Sequence, residues 1–313
     1  MSPSQQELIK SFGFYVMGDI PYSSAEELVM EQQMLSMTKY RKNNSVFTIH
    51  VGDLWKVDLT NCGATTIDIV NATLASGPLP TFIVPGDNDY LDCLVPSTAF
   101  QTFLQWFVPF ENLWMNRTLP GVPTLLDLNV ARFYPNYSEM FAFVHLDVLF
   151  LSVHLMPTPP KDTTLQKTFP ELKLANVDWA ISSIENAYDN YDLRAVIMFS
   201  HSHISNETEY FFRQLSETFI ANATRLLTPV LYIHGHGHHF KIIDRVAKDF
   251  QWPLFKALQV DRGGKADPLY IEIAPVVGGQ MIPLVNVTGL QHVFYNGLIL
   301  VDRQNGLYTN GTW

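Results

Sequence analysis

The sequence predicts an α/β fold in which two β-sheets pack face to face with helices outside, in a single domain spanning residues 1–313. Strand-like apolar runs alternate with helical segments in the first half, and the second half is richer in strands. No internal repeat or low-complexity linker divides the chain. Apolar residues make up 47% of the chain and charged residues only 16%, which supports a large core and excludes disorder.

The first half of the chain predicts three strands, each followed by a helix. The strands are Phe14–Met17, Val46–Val51 and Thr81–Val84. The first helix can be capped by Ser23 or Ser24 and ends at the basic run Lys39–Lys42, and the other two cover Thr65–Ala75 and Ser97–Phe107. This order implies parallel neighbouring strands with right-handed crossovers.

Two proline-rich breakers, Pro120–Pro123 and Pro157–Pro160, flank the middle of the chain. Between them, Met140–His145 and Val148–His154 predict an antiparallel pair of strands. The remaining predicted elements, in chain order, are a helix over Ala175–Tyr188, a strand over Ala195–Phe199, a helix over Glu207–Leu227, a strand over Val230–Ile233, and strand-like runs at Lys241–Asp244, Leu269–Ala274 and Val293–Val301.

Five of the predicted strands end at a small residue that is followed by aspartate or histidine. These residues are Asp19, Asp53, Asp87, His201, His236 and His238. Ligands of open α/β sheets gather beyond the carboxyl ends of strands, and carboxylates and imidazoles bind hard and borderline divalent cations. The sequence therefore predicts a metal centre with room for two ions.

Composition excludes several classes of function. The formal net charge of −10 argues against a nucleic-acid-binding surface, which needs clustered Lys and Arg. The richest apolar stretch, Met140–Leu155, is too short to span a membrane. The opening residues lack the hydrophobic core of a signal peptide, so we expect either a cytosolic chain or a mature or trimmed form.

Glycosylation acceptors favour a secreted or lumenal protein. Chance would supply one or two Asn-X-Ser/Thr sites in such a chain, but many more are present, including those at Asn71, Asn116, Asn136, Asn206, Asn222, Asn286 and Asn310. The alternative is that a protein rich in Asn and Thr contains these sites because of its composition, without glycans attached to them. Cys62 and Cys93 both follow predicted metal ligands, so we expect a disulfide between them, with two buried free thiols as the alternative.

The order Gly-Asp, Gly-Asp, Gly-Asp-Asn-Asp, Ser-His and Gly-His-X-His resembles that of the calcineurin-like metallophosphoesterases, which include the purple acid phosphatases. The most specific pieces are Gly52-Asp53, Pro85–Asp89 and Gly235–His238. The resemblance covers Asp19 to His238 and implies a four-layer αββα sandwich of two mixed sheets flanked by helices.

The resemblance also implies a function and a set of ligands. Asp19 and His238 would bind the first ion, Asp53 would bridge, and the second ion would be bound by Asp87, His201 and His236. The expected activity is that of a dinuclear phosphatase, with metal-bound hydroxide attacking a small phosphomonoester substrate. A phosphodiesterase or nucleotide hydrolase on the same site is the alternative among enzymes, and a non-catalytic metal-binding protein is the alternative of another class.

Three positions depart from the family pattern. Pro21 stands where many members have a histidine ligand; Tyr22 is a candidate substitute, although packing at a turn is the favoured interpretation. Asn88 replaces a histidine, so it can donate a hydrogen bond to a phosphoryl oxygen but cannot act as a general acid. Asp87 replaces an amide and should favour harder ions, although the sequence does not choose among Fe, Zn, Mn, Mg and Ca.

Other side chains are secondary candidates. His154, His203 or His239 could supply a proton in place of the missing histidine, whereas His50, His145 and His234 are interpreted as structural. The segment Val260–Lys265 could place a guanidinium near phosphate, but a solvated surface loop is the favoured interpretation.

Overall fold

The fold is described by a computed structural model that covers residues 8–56, 62–63, 65–133, 135–244 and 249–304. Two large mixed sheets and a small third one hold the strands. The six-stranded sheet contains β2 (Phe12–Met17), β3 (Ser45–His50), β4 (Thr81–Ile83), β12 (Leu269–Ile273), β15 (Gln291–Phe294) and β16 (Ile299–Asp302), in the order β15-β16-β12-β2-β3-β4.

The seven-stranded sheet carries the second half of the predicted site. It contains β5 (Ala131–Phe133), β6 (Tyr137–His145), β7 (Val148–Ser152), β8 (Ala195–Ser200), β9 (Val230–His234), β10 (Lys241–Ile243) and β11 (Phe255–Gln259), in the order β10-β11-β9-β8-β7-β6-β5. A three-stranded sheet joins β1 (Leu8–Ile9), β13 (Val276–Val277) and β14 (Gln280–Met281). Strands β2, β3 and β4 pair in parallel, as do β7, β8 and β9, so their carboxyl ends face the same edge.

The described helices cover the outer faces of the two large sheets. They are α1 (Ser24–Tyr40), α2 (Ile67–Ala75), α3 (Pro96–Phe107), α4 (Leu125–Leu128), α5 (Thr163–Asn190), α6 (Glu209–Ile220) and α7 (Ala223–Leu226), with 3₁₀ turns at Phe110–Trp114 and Tyr295–Gly297. None of the helices in these residues is both long and apolar enough to cross a membrane.

Aromatic side chains fill the space between the two large sheets. Phe14 and Phe47 of β2 and β3 meet Phe150 of β7 edge to face, with ring centroids 5.3 and 5.0 Å away. A second core lies between the seven-stranded sheet and helices α5 and α6, and a third lies between the six-stranded sheet and helices α1, α2 and α3. The four-layer αββα sandwich predicted from the sequence is therefore confirmed.

Several element boundaries differ from the sequence prediction for identifiable reasons. Helix α5 begins at Thr163 rather than Ala175, because the Asp162 side chain caps it through the N–H groups of Thr164 and Leu165. The helix predicted over Glu207–Leu227 is two helices, and the Asn222 side chain accepts the N–H of Arg225 where the second begins. The run Val293–Val301 is a hairpin of β15 and β16 rather than one strand.

The predicted disulfide between Cys62 and Cys93 is confirmed. It joins the loop after Asp53 to the loop after Asp87. The antiparallel pairing of the two strands in the middle of the chain, β6 and β7, is also confirmed.

Candidate metal centre

The six predicted ligands converge at the carboxyl ends of strands from both large sheets. Their donor atoms form two overlapping groups, Asp19–Asp53–His201 and Asp87–His201–His236, each with all atoms within 4.8 Å of one another. The sixth residue, His238, joins the first group, since its Nε2 lies 3.2 Å from Asp19 Oδ1. Asp19 and His201 are fully buried, whereas the side chains of His236 and His238 are 29% and 41% exposed. The cluster therefore opens to solvent on the side of the last two histidines.

The imidazoles and carboxylates of the cluster are in direct contact. His201 Nε2 lies 2.9 Å from Asp87 Oδ1 and 3.4 Å from Asp53 Oδ1, and His236 Nδ1 lies 3.2 Å from the same Asp87 oxygen. His201 Nδ1 lies 2.8 Å from the carbonyl of Val51. This second contact fixes the ring and leaves Nε2 facing the carboxylates.

Glycine is required at several positions next to the cluster because neighbouring atoms lie too close to leave room for a Cβ. A Cβ at Gly86 would lie 2.2 Å from both the backbone nitrogen and Oδ1 of Asp53. A Cβ at Gly235 would lie 2.7 Å from Asp19 Oδ2, and one at Gly52 would lie 2.6 Å from the backbone nitrogen of Gly86. The small residue in each motif thus lets two backbone turns meet at the site.

Four of the six residues have left-handed backbone conformations. The φ angle is 55° at Asp19, 58° at Asp53, 66° at His236 and 63° at His238. Residues other than glycine rarely adopt this region, and such outliers cluster at binding and catalytic sites. In each case the strand has just ended, and the left-handed residue turns its side chain back toward the cluster.

Asp53 and Asp87 have strongly shifted pKa values. Burial raises the pKa of Asp53 well above its ordinary value, against the influence of His201. Burial also acts to raise the pKa of Asp87, but contact with His201 and His236 outweighs it and lowers that pKa. Burial opposes a charge on His201 too, yet Asp53 and Asp87 raise its pKa well above the usual range. A buried site of this kind needs compensating positive charge.

The residues present fit a metal ion. Asp19 Oδ2 is buried without a hydrogen-bond partner in the described part of the chain, and His201 Nε2, although 2.9 Å from Asp87 Oδ1, makes no hydrogen bond of good geometry there. Such orphaned atoms are costly unless something else binds them. Both residues belong to the Asp19–Asp53–His201 donor group, and oxygen and imidazole nitrogen donors suit a divalent or trivalent cation.

Asn88 lies against the central carboxylate. Its backbone N–H donates to Asp53 Oδ1 over 3.0 Å, and its side-chain amide donates to Asp53 Oδ2 over 2.8 Å. The indole N–H of Trp55 donates to the Asn88 carbonyl over 2.9 Å. Asn88 therefore contacts the cluster through both oxygens of the Asp53 carboxylate.

The two histidines predicted to be catalytic lie in different surroundings. The His203 ring stacks on His236, with centroids 5.0 Å apart, and burial and that neighbour lower its pKa. His154 is buried, with Nε2 2.7 Å from the Tyr90 hydroxyl and Nδ1 2.7 Å from Glu139. His203 thus adjoins the cluster, whereas the side-chain contacts of His154 are with residues outside it. His239 is exposed.

Tyr22 is the site residue that sequence reasoning undervalued. Its hydroxyl donates to Asp53 Oδ2 over 2.5 Å and lies 3.3 Å from Asp19 Oδ1 and 3.4 Å from His238 Nε2. Packing at a turn was the expected role, but the hydroxyl reaches into the cluster. Two features of the sequence could have indicated this contact. Tyr22 lies three residues after Asp19, and the neighbouring Pro21 has no side chain that could bind a metal ion.

Comparison with known proteins adds weak structural likenesses. No family model and no curated protein sequence matches the chain. A 5'-nucleotidase from Candida albicans SC5314 is similar over 85% of this chain, at 12% identity and a TM-score of 0.43; the chain spans about half of that protein, 48% of its length. GAP50, the anchor in the inner membrane complex of Plasmodium, is similar over 87% of both chains, at 12% identity and a TM-score of 0.47. Likenesses of this size carry no functional argument.

The αββα layering agrees with the fold that the sequence motifs imply through their resemblance to the calcineurin-like metallophosphoesterases.

Proposed function

We propose that the chain is a metal-dependent phosphoric ester hydrolase acting on phosphomonoesters. Asp19 and His238 would hold one ion, Asp87, His201 and His236 the other, and Asp53 would lie between them. The observation that carries the proposal is the pair of overlapping donor groups, Asp19–Asp53–His201 and Asp87–His201–His236. The two groups adjoin, because His201 Nε2 lies 3.4 Å from Asp53 Oδ1 and 2.9 Å from Asp87 Oδ1, and adjacent donor groups suit a pair of neighbouring cations.

Two bound cations would supply Lewis-acid charge for the phosphate oxygens and would lower the pKa of water. The chain's own residues supply the remaining functions. The exposed edges of His236 and His238 mark the side on which a phosphate group enters. Asn88 holds Asp53 with two donors and offers an amide to a phosphoryl oxygen.

The leaving group has a weak proton source in this site. Asn88 cannot act as an acid, and burial lowers the pKa of His203, which disfavours its protonated form. We therefore propose a preference for esters whose leaving groups depart as stable anions. A rate that does not change with leaving-group pKa would contradict this preference. Diesters and nucleotides that meet the same requirement are the alternative substrates.

One observation favours a non-catalytic metal-binding protein as the second candidate. The Asn88 amide and the Tyr22 hydroxyl both contact Asp53 Oδ2, at 2.8 and 2.5 Å. Two polar groups on the central carboxylate restrict the space around it. Metal content without turnover would support this second candidate.

We also propose that the protein is a secreted or lumenal glycoprotein. The disulfide fits an oxidising compartment, and the acceptor asparagines Asn116, Asn136, Asn206, Asn222 and Asn286 are exposed. Asn71 is half-buried and donates to the Trp106 carbonyl, and Asn310 lies outside the described residues. After expression in a eukaryotic secretory host, enzymatic deglycosylation should lower the mass. An unchanged mass would contradict glycosylation.

The hydrolase proposal is tested by elemental analysis and two ester assays. The purified protein should contain metal and should release p-nitrophenol from p-nitrophenyl phosphate, with bis-p-nitrophenyl phosphate as the diester comparison. A chelator should abolish both metal content and turnover. Asp53→Asn should lower the rate by more than about 100-fold, since even supporting residues of metal sites cost 10–100-fold.

The matched control is Asp68→Asn, which makes the same change at an exposed position of α2. It should retain the metal and the rate of the parent protein. A fully active Asp53→Asn variant, or turnover that survives metal removal, would overturn the proposal.

A further inference from the structure

A cavity of about 520 Å³ lies between the loop that follows β4 and the start of α5. Its lining consists of Leu91, Asp92, Cys93, Leu94, Pro96, Lys161 and Asp162. The backbone N–H of Asp92 donates to the carbonyl of Asp87 over 3.0 Å, so one wall of the cavity is tied directly to a candidate metal ligand. A cavity of this volume is within the range of small-molecule binding sites.

The wall that the loop forms is held in place by three contacts. Cys93 is bonded to Cys62, and its backbone N–H donates to the carbonyl of Tyr90 over 3.1 Å. The Tyr90 hydroxyl lies 2.7 Å from Nε2 of the buried His154. These contacts give the cavity a defined position beside the metal centre.

Asp92 supplies the carboxylate that a ligand in this cavity can reach. It is half-buried and accepts no hydrogen bond within the described part of the chain, and the charges that act on it are those of Asp87, Lys161 and His236. The Asp162 carboxylate, by contrast, caps α5. A carboxylate that is partly removed from water is stabilised by a cation that donates hydrogen bonds to it. This side of the cavity therefore favours a positively charged group.

The rest of the loop wall is apolar. Leu91, Cys93 and Pro96 are buried, whereas Leu94 is 75% exposed and the adjacent Val95 is 53% exposed. The apolar surface thus continues from the cavity to the outside of the protein, where a hydrocarbon chain could pack along it. The cavity lining contains no aromatic ring of the kind that recognises quaternary ammonium groups. A primary ammonium, which can donate N–H groups to a carboxylate, suits it better.

We propose that this cavity binds the alcohol part of the substrate, and that this alcohol is a primary amino alcohol with an apolar chain. The ammonium would pair with Asp92, and the chain would pack on Leu91 and Leu94. This inference rests on the proposed function, because it names the substrate class of the same site. Hydrolysis would transfer the phosphoryl group to water and release the amino alcohol. The ammonium also makes the departing alcohol more acidic by induction, which suits a site with a weak proton source.

The experiment compares kcat/KM of the metal-loaded protein on three phosphomonoesters. They are 2-aminohexyl phosphate, 2-methylhexyl phosphate, in which a methyl group replaces the ammonium, and O-phosphoethanolamine, which lacks the chain. The parent should prefer the first over the second by about 10-fold, the effect of a hydrogen-bonded charged group. It should prefer the first over the third by about 10-fold or more, because each methylene buried on the apolar wall contributes up to about 4-fold.

Three substitutions test the residues. Asp92→Asn should remove most of the preference for the amine, and a general change in activity cancels because both esters are measured on the same variant. Lys161→Gln should not lower that preference, since it removes a competing cation. Leu94→Ser should reduce the preference for the chain. The matched controls are the exposed Asp68→Asn and Leu126→Ser, which should keep both preferences. Thermal unfolding checks that each variant is folded.

A parent protein that hydrolyses p-nitrophenyl phosphate but shows no preference for the amine would overturn this inference and leave the hydrolase proposal standing. The same conclusion would follow if Asp92→Asn kept the parent's preference, or if Lys161→Gln lost it, since the cavity would then hold an anion. A metal-loaded parent that hydrolyses none of these esters would overturn both proposals.

Discussion

The Asp89 carboxylate accepts the backbone N–H of Asp53 over 3.0 Å, which joins the turn after β3 to the turn after β4. The N–H groups of Leu54 and Gly86 donate to the same carboxylate, each over 2.7 Å. Burial raises the Asp89 pKa to about 6, which still leaves the carboxylate ionised at neutral pH. Asp89 is therefore an anchor for the backbone that carries Asp53.

Replacing Asp89 with asparagine should destabilise the fold by about 1–3 kcal/mol, because an amide nitrogen cannot accept and leaves a buried N–H unpaired. Denaturant unfolding measures the loss. The exposed Asp68→Asn variant should show no comparable change. Equal stability of the two variants would contradict the anchoring role.

Gly86→Ala should disrupt the site through steric overlap. The added methyl carbon would lie 2.2 Å from two atoms of Asp53, so the turn must move. We expect a loss of about 1–3 kcal/mol in stability and weaker binding when the apoprotein is titrated with Mn²⁺ or Zn²⁺ against a chromogenic chelator. Gly289→Ala is the control, since its Cβ would meet no atom within 4 Å. Normal metal affinity in Gly86→Ala would show that the turn can adapt.

Removing the disulfide should destabilise the protein without unfolding it. Cys62 and Cys93 are 31 residues apart, and in the chain-entropy model a loop of this size contributes roughly 3–4 kcal/mol. The Cys62→Ser/Cys93→Ser double variant should therefore unfold at lower denaturant concentration, and reduction should add two hydrogens to the intact mass of the parent. Two titratable thiols in the unreduced parent would contradict the bond.

Phe150→Ala should be among the more damaging core changes. Phe150 is fully buried between the sheets and contacts rings of both, including Phe14, Phe47 and Phe199. Loss of the ring should cost about 3–5 kcal/mol in unfolding free energy. Phe150→Leu should cost less because it leaves a smaller cavity. A loss below about 1 kcal/mol in the alanine variant would mean that the two sheets close over the gap.

The free energy of unfolding should decrease in mild acid, partly because the unfolded chain takes up a proton at His145. Its ring packs edge to face on Phe12, and burial, with help from Arg194, lowers its pKa to about 4. The unfolded chain protonates this histidine near pH 6.5, so it binds more protons than the folded state between about pH 6.5 and 4. Unfolding free energy should decrease over that range, by up to ~3 kcal/mol from this group.

The measurement for His145 is a series of denaturant titrations between pH 7 and pH 4. His145→Phe should show a shallower pH dependence than the parent. Identical slopes would mean that the folded protein accommodates the charged ring.

The main features of the fold and of the site could be predicted from the sequence because they depend on local signals. Apolar runs that end in Gly-Asp or Gly-His indicate both a strand and the side chain at its end, and Gly52 and Gly86 are sterically required there. Strand β11 was missed because Lys256 and Gln259 interrupt its apolar pattern. Its place is set by parallel pairing with β9, which no local pattern reveals.

Tyr22 shows why the rest of the site could not be predicted. A tyrosine after a proline usually packs at a turn, and the direction of its hydroxyl depends on Glu26 and on Arg262, which is 240 positions away in the chain. Such long-range contacts have no signature in a single sequence. The same holds for the cap that Asn222 provides between α6 and α7.

The left-handed conformations of Asp19, Asp53, His236 and His238 carry an energetic cost. Each such residue stores on the order of 1 kcal/mol of backbone strain, because a side chain disfavours a φ angle in this range. Glycine at any of the four positions would relieve that strain but would remove the side-chain donor, so the chain keeps these donors at the expense of its own heat resistance.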